Sequence, residues 1–466
     1  MNQVNNVVLK VLGYLEKNLD RTIFEFVGHP PITGRAFKNL IINFALNMKA
    51  KGVNQSSCIA IESSDITVAT ALNLASCLNG SKWVRLTSEA LNSEHLDITH
   101  IFYQTDMDYK NNDIVISKID RSWTMTPKGV EVSFPGYKSL DSTWAITQSS
   151  GTTGTAKFME ISYGKYWERV YNNNAYILEG VKKIGILYTP LKSTVQYRAV
   201  THIISDIPII VGLQYEDLPK HPGLLIAGSH QQSLALMRGK TPPETPYDVI
   251  CELGGSATSR TQIASLLPHF KMVSSGYGST ETARTSIIKW THIDQYEPFC
   301  VGKPYKDVEL RIEDGIILLR TPRNISGYLG GEKFEWFQSG DMGYIDDEGK
   351  LYVTGRLNER LNIGGIKVDP NEVDAYIKSL GGVIDCLTFQ DPELDVREQL
   401  SAMIITKLDV DLYSIFQQCK DKLGMSKTPK NFYLCSEFPT NENGKASRKD
   451  AMKAVEGMIP VKYIFP

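Results

Sequence analysis

The stretch SSGTTGTAKF, residues 149–158, gathers serines, threonines, two glycines and one lysine with almost nothing apolar. Such residues suit an anion. Glycine lets the backbone approach closely, hydroxyls and amides donate hydrogen bonds, and Lys157 adds charge. A Walker-type loop requires Gly-Lys followed by Ser or Thr. Here Lys157 stands between Ala156 and Phe158, which excludes that loop. Taken alone, the segment reads as a phosphate cradle or as a polar surface loop.

Four further segments carry chemistry. SGYGSTETA, residues 275–283, sets Tyr277 between Gly276 and Gly278, a flat ring beside open backbone and suited to stacking on a base. Its Glu281 offers a carboxylate to a hard cation such as Mg²⁺. SGDMG, residues 339–343, holds Asp341 in a turn, where it can accept from two ribose hydroxyls. GRLNERLNIGGIKVDPNEV, residues 355–373, and NENGKASR, residues 441–448, complete the set. Each alone also reads as an ordinary turn.

In this order and at these separations, the five segments resemble the adenylate-forming superfamily of acyl- and aryl-CoA synthetases, adenylation domains and luciferases, the AMP-dependent synthetases and ligases. The resemblance runs from the strand near residue 22 to Arg448. It implies that Ser149, Ser150, Gly151, Thr152, Thr153, Gly154 and Lys157 wrap the ATP phosphates, with Thr152 and Glu281 holding Mg²⁺. It places Gly255 and Ser256 beside the adenine, together with Tyr277 and Gly278, and puts Thr280 at the α-phosphate. Asp341 and Arg356 fall at the ribose. Asn358 falls at a hinge, Gly364 and Gly365 along a pantetheine path, and Lys445 at the lysine that serves adenylation.

The implied reaction joins a carboxylic acid to ATP as acyl-AMP and releases pyrophosphate. A thiol, either CoA or phosphopantetheine, then takes the acyl group. Both reactants of the first step are anions, so the transition state concentrates negative charge that Mg²⁺, Lys157 and Lys445 can neutralise. The substrate pocket is expected near Lys192, Gln196, Arg198, Gly276 and Ala283. No aspartate stands where α-amino-acid-activating relatives hold an ammonium, which argues against an amino acid. Two other readings remain: a stand-alone enzyme loading an acyl carrier protein, and a non-catalytic protein with a relict nucleotide pocket. Against the family pattern, Ala156 replaces proline, which loosens the loop without removing a phosphate ligand, and Phe158 replaces glycine, where packing beneath the loop is expected.

The elements that must position these residues follow from periodicity. Short apolar runs such as CIAIES, IGILYTP, IPIIVGL, GLLIAG and YDVICELGG alternate with helical stretches at 35–51 and 65–79. This predicts α/β layers around parallel-rich sheets. Beyond about residue 299 the pattern turns to hairpins at Asp314-Gly315 and Glu348-Gly349. After residue 356 it becomes a small α+β unit, with Asp369 capping a helix that starts at Pro370. The expected organisation is a large domain, residues 1–356, with a β-barrel-like subdomain, and a small mobile domain, residues 357–466. The chain has 466 residues and a formal net charge of −2, so bulk charge does not mark a nucleic-acid binder. Seven scattered cysteines, an N-terminus without signal-peptide character and no apolar run of the ~20 residues a span requires point to a cytoplasmic protein without a membrane span.

Overall fold

The computed structural model describes the chain apart from residues 1–6, 106–112, 150–156, 176–178, 256–257, 259, 326, 332, 358–360, 364–365, 391–399, 408–409, 441–445, 456–457, 459 and 462–466. Among the described residues the strands form five sheets. The largest has eight strands, in the spatial order Ala283–Trp290, Phe270–Ser279, Tyr247–Gly254, Leu224–Gly228, Lys183–Ile186, Ile209–Val211, Thr22–Phe26, Ile32–Thr33. All neighbours are parallel except the two outermost pairs, which are antiparallel. A second sheet of six strands includes Cys58–Ile61 and ends in the antiparallel pair Thr143–Ser149 and Lys157–Ser162.

The apolar runs of the sequence become the buried central strands. Cys58–Ile61 and Leu224–Gly228 are buried at every residue, as expected of parallel strands covered on both faces. Helix Gly34–Ala50 begins at an N-cap, Thr33, whose side chain accepts from Ala36 N, and buries Phe37, Ile41, Phe44 and Met48 along one stripe. Helix Ile66–Asn79 is buried almost all round, starts on Asp65 and stops at Gly80, which adopts φ 70°. Together with Val7–Lys17 and Ser193–Ile204, these helices and the sheets enclose one large apolar cluster.

The hairpin signals resolve into a five-stranded antiparallel sheet. At its first turn, Asp314 and Gly315 both adopt positive φ, 51° and 77°, the backbone that matches strand twist in a tight hairpin. Beyond it, helix Pro370–Lys378 starts on Asp369, which accepts from Asn371 N, while Glu372 pairs with Lys427. The three-stranded sheet of Val383–Gln390, Leu400–Thr406 and Asn431–Leu434 packs with this helix and with Leu412–Leu423. Among the described residues, the apolar clusters built from 7–353 and those built from 361–455 share no members. No described helix is long and apolar enough to cross a membrane.

Candidate active site

One hairpin carries the centre of the site. Strands Phe270–Ser279 and Ala283–Trp290 pair antiparallel, and the turn between them presents Thr280 and Glu281. Gly278 is required here: it adopts φ 154°, and a Cβ would stand 2.1 Å from the Ala283 carbonyl oxygen. The turn is pinned from within, because Ser279 N donates to Thr282 Oγ1 at 3.2 Å and Glu281 N to Ser279 Oγ at 3.2 Å. From below, Arg169 of helix Tyr163–Ala175 donates to the Thr280 carbonyl at 3.0 Å, to the Glu281 carbonyl at 3.2 Å and to the Arg323 carbonyl at 3.0 Å. Arg169 is 1% exposed, and burial lowers its pKa to about 10, still high enough to keep the charge at neutral pH. A fixed cation therefore lies directly beneath the turn that presents Glu281.

On one side the turn meets the end of the phosphate-type loop at Tyr328. The Tyr328 hydroxyl donates to Glu281 Oε1 at 3.1 Å, and Lys157 Nζ stands 5.2 Å from the centre of the Tyr328 ring. Tyr328 also bridges Met159 in antiparallel register, and Leu329 N donates to the Phe158 carbonyl at 2.8 Å. Burial, and then the neighbouring Glu281, push the Tyr328 hydroxyl pKa up, so it stays a donor. Phe158 does pack: it joins the apolar cluster of Cys58, Ala60, Val84, Leu86 and Ile146. This anchors the loop exit while Lys157 stays exposed.

On the other side the hairpin meets the five-stranded sheet. The Tyr277 hydroxyl donates to Asp341 Oδ2 at 2.8 Å, and Arg356 Nε donates to Asp341 Oδ1 at 2.7 Å. Asp341 and Arg356 are cross-strand partners. Ser339 fixes Asp341 by accepting from its backbone N–H at 3.0 Å while donating to the Ile317 carbonyl at 2.8 Å. Burial first, then Asp341, raise the Tyr277 hydroxyl well above its ordinary pKa. Tyr277, expected from sequence only as a stacking face, thus also orients the aspartate. A carboxylate offers about four acceptor positions, so two donors leave Asp341 room for two more.

The pocket side is built differently. Lys192 precedes helix Ser193–Ile204, with Nζ 5.5 Å from the centre of the Tyr188 ring. The Tyr188 hydroxyl donates to the carbonyls of Gly228 at 2.7 Å and Gly254 at 3.2 Å. Gly255 follows with φ 93°. Gln196 is fully buried and its amide donates to the Pro190 carbonyl at 2.7 Å, fastening the helix to its own approach. Ala283 adopts φ 57° and lies in the main apolar cluster. A Cβ on Gly276 would stand 2.6 Å from Arg284 Cδ, so Gly276 makes room for that arginine. Glu252, buried in strand Tyr247–Gly254, pairs with Arg284 at 2.6 Å and with Arg198. Burial works to raise the Glu252 carboxyl, but the two guanidiniums outweigh it and bring it to about 2.

The structure thus brings Lys157, Thr280 and Glu281 to one end of a single hairpin, and Tyr277, Asp341 and Arg356 to its flank. Ser149 ends strand Thr143–Ser149, paired with Lys157. Ser150, Gly151, Thr152, Thr153, Gly154, Ser256, Asn358, Gly364, Gly365 and Lys445 lie outside the described residues. Sequence reasoning missed Arg169, Tyr188, Glu252, Arg284, Tyr328 and Ser339. Only Glu252 carried a local signal, as a charge inside the apolar run of YDVICELGG.

The layered α/β body, with its parallel-rich sheet, antiparallel sheet and small α+β unit, is shared with solved structures. The solved O-succinylbenzoate coenzyme A synthetase (MenE) of Bacillus subtilis, in complex with AMP, superposes with a TM-score of 0.79 over 96% of this chain and 97% of its own, at 19% identity. The 2-succinylbenzoate–CoA ligase of Bacillus cereus (strain Q1) is 23% identical over 473 residues, covering 94% of this chain and 97% of the relative. That of Enterococcus faecalis is 30% identical over 226 residues, 44% of this chain and about half (47%) of the relative's length. No protein-family model matches the chain. These likenesses show that the chain shares the fold of the solved O-succinylbenzoate coenzyme A synthetase and is similar in sequence to 2-succinylbenzoate–CoA ligases.

Proposed function

We propose that the protein is an acid–thiol ligase that activates an aryl or acyl carboxylic acid with ATP as acyl-AMP and passes the acyl group to CoA. The observation that carries this reading is the single hairpin whose end gathers Lys157, Thr280 and Glu281 and whose flank gathers Tyr277, Asp341 and Arg356. A triphosphate at the turn and a nucleoside at the flank fit that order. The likeness to named CoA ligases along nearly the whole chain supports the CoA acceptor.

In this account Ser149 to Gly154 and Lys157 hold the β- and γ-phosphates, with Thr280 at the α-phosphate. Asp341 accepts from the ribose hydroxyls in the orientation fixed by Arg356 and Tyr277. Gly254–Ser256 and the Tyr277 ring border the adenine. Glu281 fits a divalent cation: it is a lone buried carboxylate whose Oε1 takes the Tyr328 hydroxyl, and Mg²⁺ commonly takes one or two carboxylates along with substrate phosphates. Thr152 is the second protein group assigned to it. When bound, the ion supplies charge neutralisation at the phosphates.

The acid needs no general base, because it is already ionised at neutral pH. Its oxygen attacks the α-phosphorus and pyrophosphate leaves. Lys157 and Lys445 meet the developing charge, where water-excluded donors count most. CoA thiolate then attacks the acyl carbonyl and AMP leaves. Residues 1–356 and 357–466 act as two domains about Asn358, so that Lys445 serves the first step and Gly364-Gly365 line the thiol's approach in the second. Among the described residues no apolar cluster spans residue 356, which supports that division.

The test is incubation of the purified protein with ATP, Mg²⁺, CoA and a panel of aryl, short-chain and medium-chain acids, read by mass spectrometry. AMP and an acyl-CoA thioester are expected in equal amounts with at least one acid class. Acyl-AMP without any thioester would remove the CoA assignment.

A further inference from the structure

Three stretches far apart in the chain meet at the proposed triphosphate end: strand Lys157–Ser162, the turn at 280–282, and segment 321–325, which leads to Tyr328. The strand runs straight into helix Tyr163–Ala175, and that helix turns one arginine onto the other two stretches. Arg169 Nη2 donates to the carbonyls of Thr280 at 3.0 Å, Glu281 at 3.2 Å and Arg323 at 3.0 Å, and its Nε reaches the Arg323 carbonyl at 3.2 Å. Lys165, one turn earlier on the same helix face, donates to the Pro322 carbonyl at 2.8 Å. The segment they grip is braced in itself. Asn324 donates to the Leu319 carbonyl at 3.0 Å, Arg323 N donates to Thr321 Oγ1 at 3.0 Å, and the Arg323 side chain pairs with Asp307.

Packing alone does not explain an arginine at this place. Arg169 is buried, and among the described residues its hydrogen-bond partners are carbonyls, with no carboxylate in ion-pair contact. Its Nη1 is buried without a partner. Burying a charge in this way costs free energy that a methionine or a leucine would not. What the guanidinium supplies is a planar fork of donors, which a lysine ammonium does not reproduce. The fork spans two stretches at once. It fixes the carbonyls of Thr280 and Glu281, and so the peptide planes from which their side chains leave. Ile325 N joins it on the Glu281 carbonyl at 2.8 Å. Glu281 is thereby held at both ends, by Arg169 at its carbonyl and by the Tyr328 hydroxyl at its carboxylate.

Resting on the reading of the protein as an ATP-using ligase, we propose that Arg169 is the positioning residue of the triphosphate end. It clamps the turn that presents Glu281 to the segment that leads to Tyr328, from the helix that continues the Lys157 strand. Lys157, Glu281 and Tyr328 then act as one body. The β- and γ-phosphates, with the cation assigned to Glu281, meet a cradle ordered by folding rather than on binding. The nucleoside side, built on Tyr277, Asp341 and Arg356, does not depend on this clamp. Arg169 therefore favours ATP over AMP, which has neither the outer phosphates nor their cation.

The experiment measures binding of AMP, and of ATP with Mg²⁺, by titration calorimetry without any acid, for wild type, Arg169→Lys, Tyr328→Phe and the double variant. Arg169→Lys keeps the charge and loses the fork. It weakens ATP by about 10-fold or more, the scale of one hydrogen bond to a charged group, and leaves AMP within about threefold of wild type. Tyr328→Phe acts on the same body, so in the double variant the combined effect on ATP falls short of the product of the two. A dissociation constant is read from the folded molecules alone. If Arg169→Lys yields none, Lys165→Met, at a half-buried position, shows the same selective loss at about threefold. Equal weakening of ATP and AMP, unchanged ATP binding in the folded variant, or effects that multiply in the double variant would overturn this inference while leaving the ligase reading intact. Wild type that binds neither nucleotide would instead overturn the underlying reading, and this inference with it.

Discussion

The two ends of the site are held by different means. At the nucleotide end, Asp341, Arg356, Tyr277, Thr280 and Glu281 all lie on hairpins or their turns, and backbone register sets their positions. Asp341 faces Arg356 because their strands pair there, not because their charges found one another. Where the acyl pocket is proposed, sheet register sets Glu252 and Arg284, and the buried ion cluster ties Arg198 of a helix to them. The first arrangement suits a ligand that never changes. The second can be re-tuned residue by residue, which suits the part of an enzyme that selects its acid.

That difference predicts where damage shows. Glu252→Ala removes the carboxylate that two buried guanidiniums share, and breaking a buried pair costs about 3–5 kcal/mol. A large fall in the denaturant midpoint is expected. An unchanged midpoint would mean that the acyl end is not held by its ion cluster. At the nucleotide end, Asp341→Asn keeps the register and removes only a charge, so stability should change little. With Asp341 on the ribose as proposed, losing its charge-assisted contacts costs roughly 1.5–3 kcal/mol, or about 10- to 150-fold in kcat/KM for ATP. If Asp341→Asn instead unfolded the protein, the claim that register alone holds this end would fail.

The comparison also has a pH signature. The folded-state pKa of Glu252, about 2, lies below its ordinary value, so its stabilisation is present above about pH 4.5 and is lost as pH falls toward 2. Glu252→Gln should therefore be less stable than wild type at pH 7, and the gap should narrow as pH falls through that window. Urea titrations of both proteins at pH 7, 4 and 3 check this, and a constant gap would contradict it. The smallest effect is expected at Tyr328→Phe, which deletes one hydrogen bond to Glu281. It should cost about 0.5–1.5 kcal/mol, seen as a modest rise in the Mg²⁺ concentration needed for half-maximal pyrophosphate exchange.

Legibility in the sequence follows the same divide. The proposed nucleotide end could be put forward from sequence because each contributor sits in a short contiguous motif whose glycines and hydroxyls suit an anion or a base, and the structure brings Lys157, Tyr277, Thr280, Glu281, Asp341 and Arg356 around one hairpin. Gly278 is written into the sequence by steric need, with Ala283 O where a side chain would be. The alternation of apolar strands and helices is readable for the same local reason, as is the hairpin at Asp314-Gly315. Tyr328 and Arg169 are not readable. Their partners lie 47 and more than 100 residues away, and neither neighbourhood has a spacing that announces the contact. Arg198 is visible as a charge in helix Ser193–Ile204, but its meaning depends on Glu252 and Arg284, which only the sheet register brings beside it. Tyr277 shows a mixed case: its ring is legible as a flat face, while its hydroxyl's grip on Asp341 requires the packing of two sheets.

The measurement that bears most directly on the whole account is acid-dependent exchange of labelled pyrophosphate into ATP in the absence of CoA, because it isolates the first half-reaction. The account predicts exchange that requires both a carboxylic acid and Mg²⁺, and that falls by about 100-fold or more in Lys445→Ala, the scale of losing one transition-state donor. Protein that binds ATP yet shows no exchange with any acid of a broad panel would contradict it.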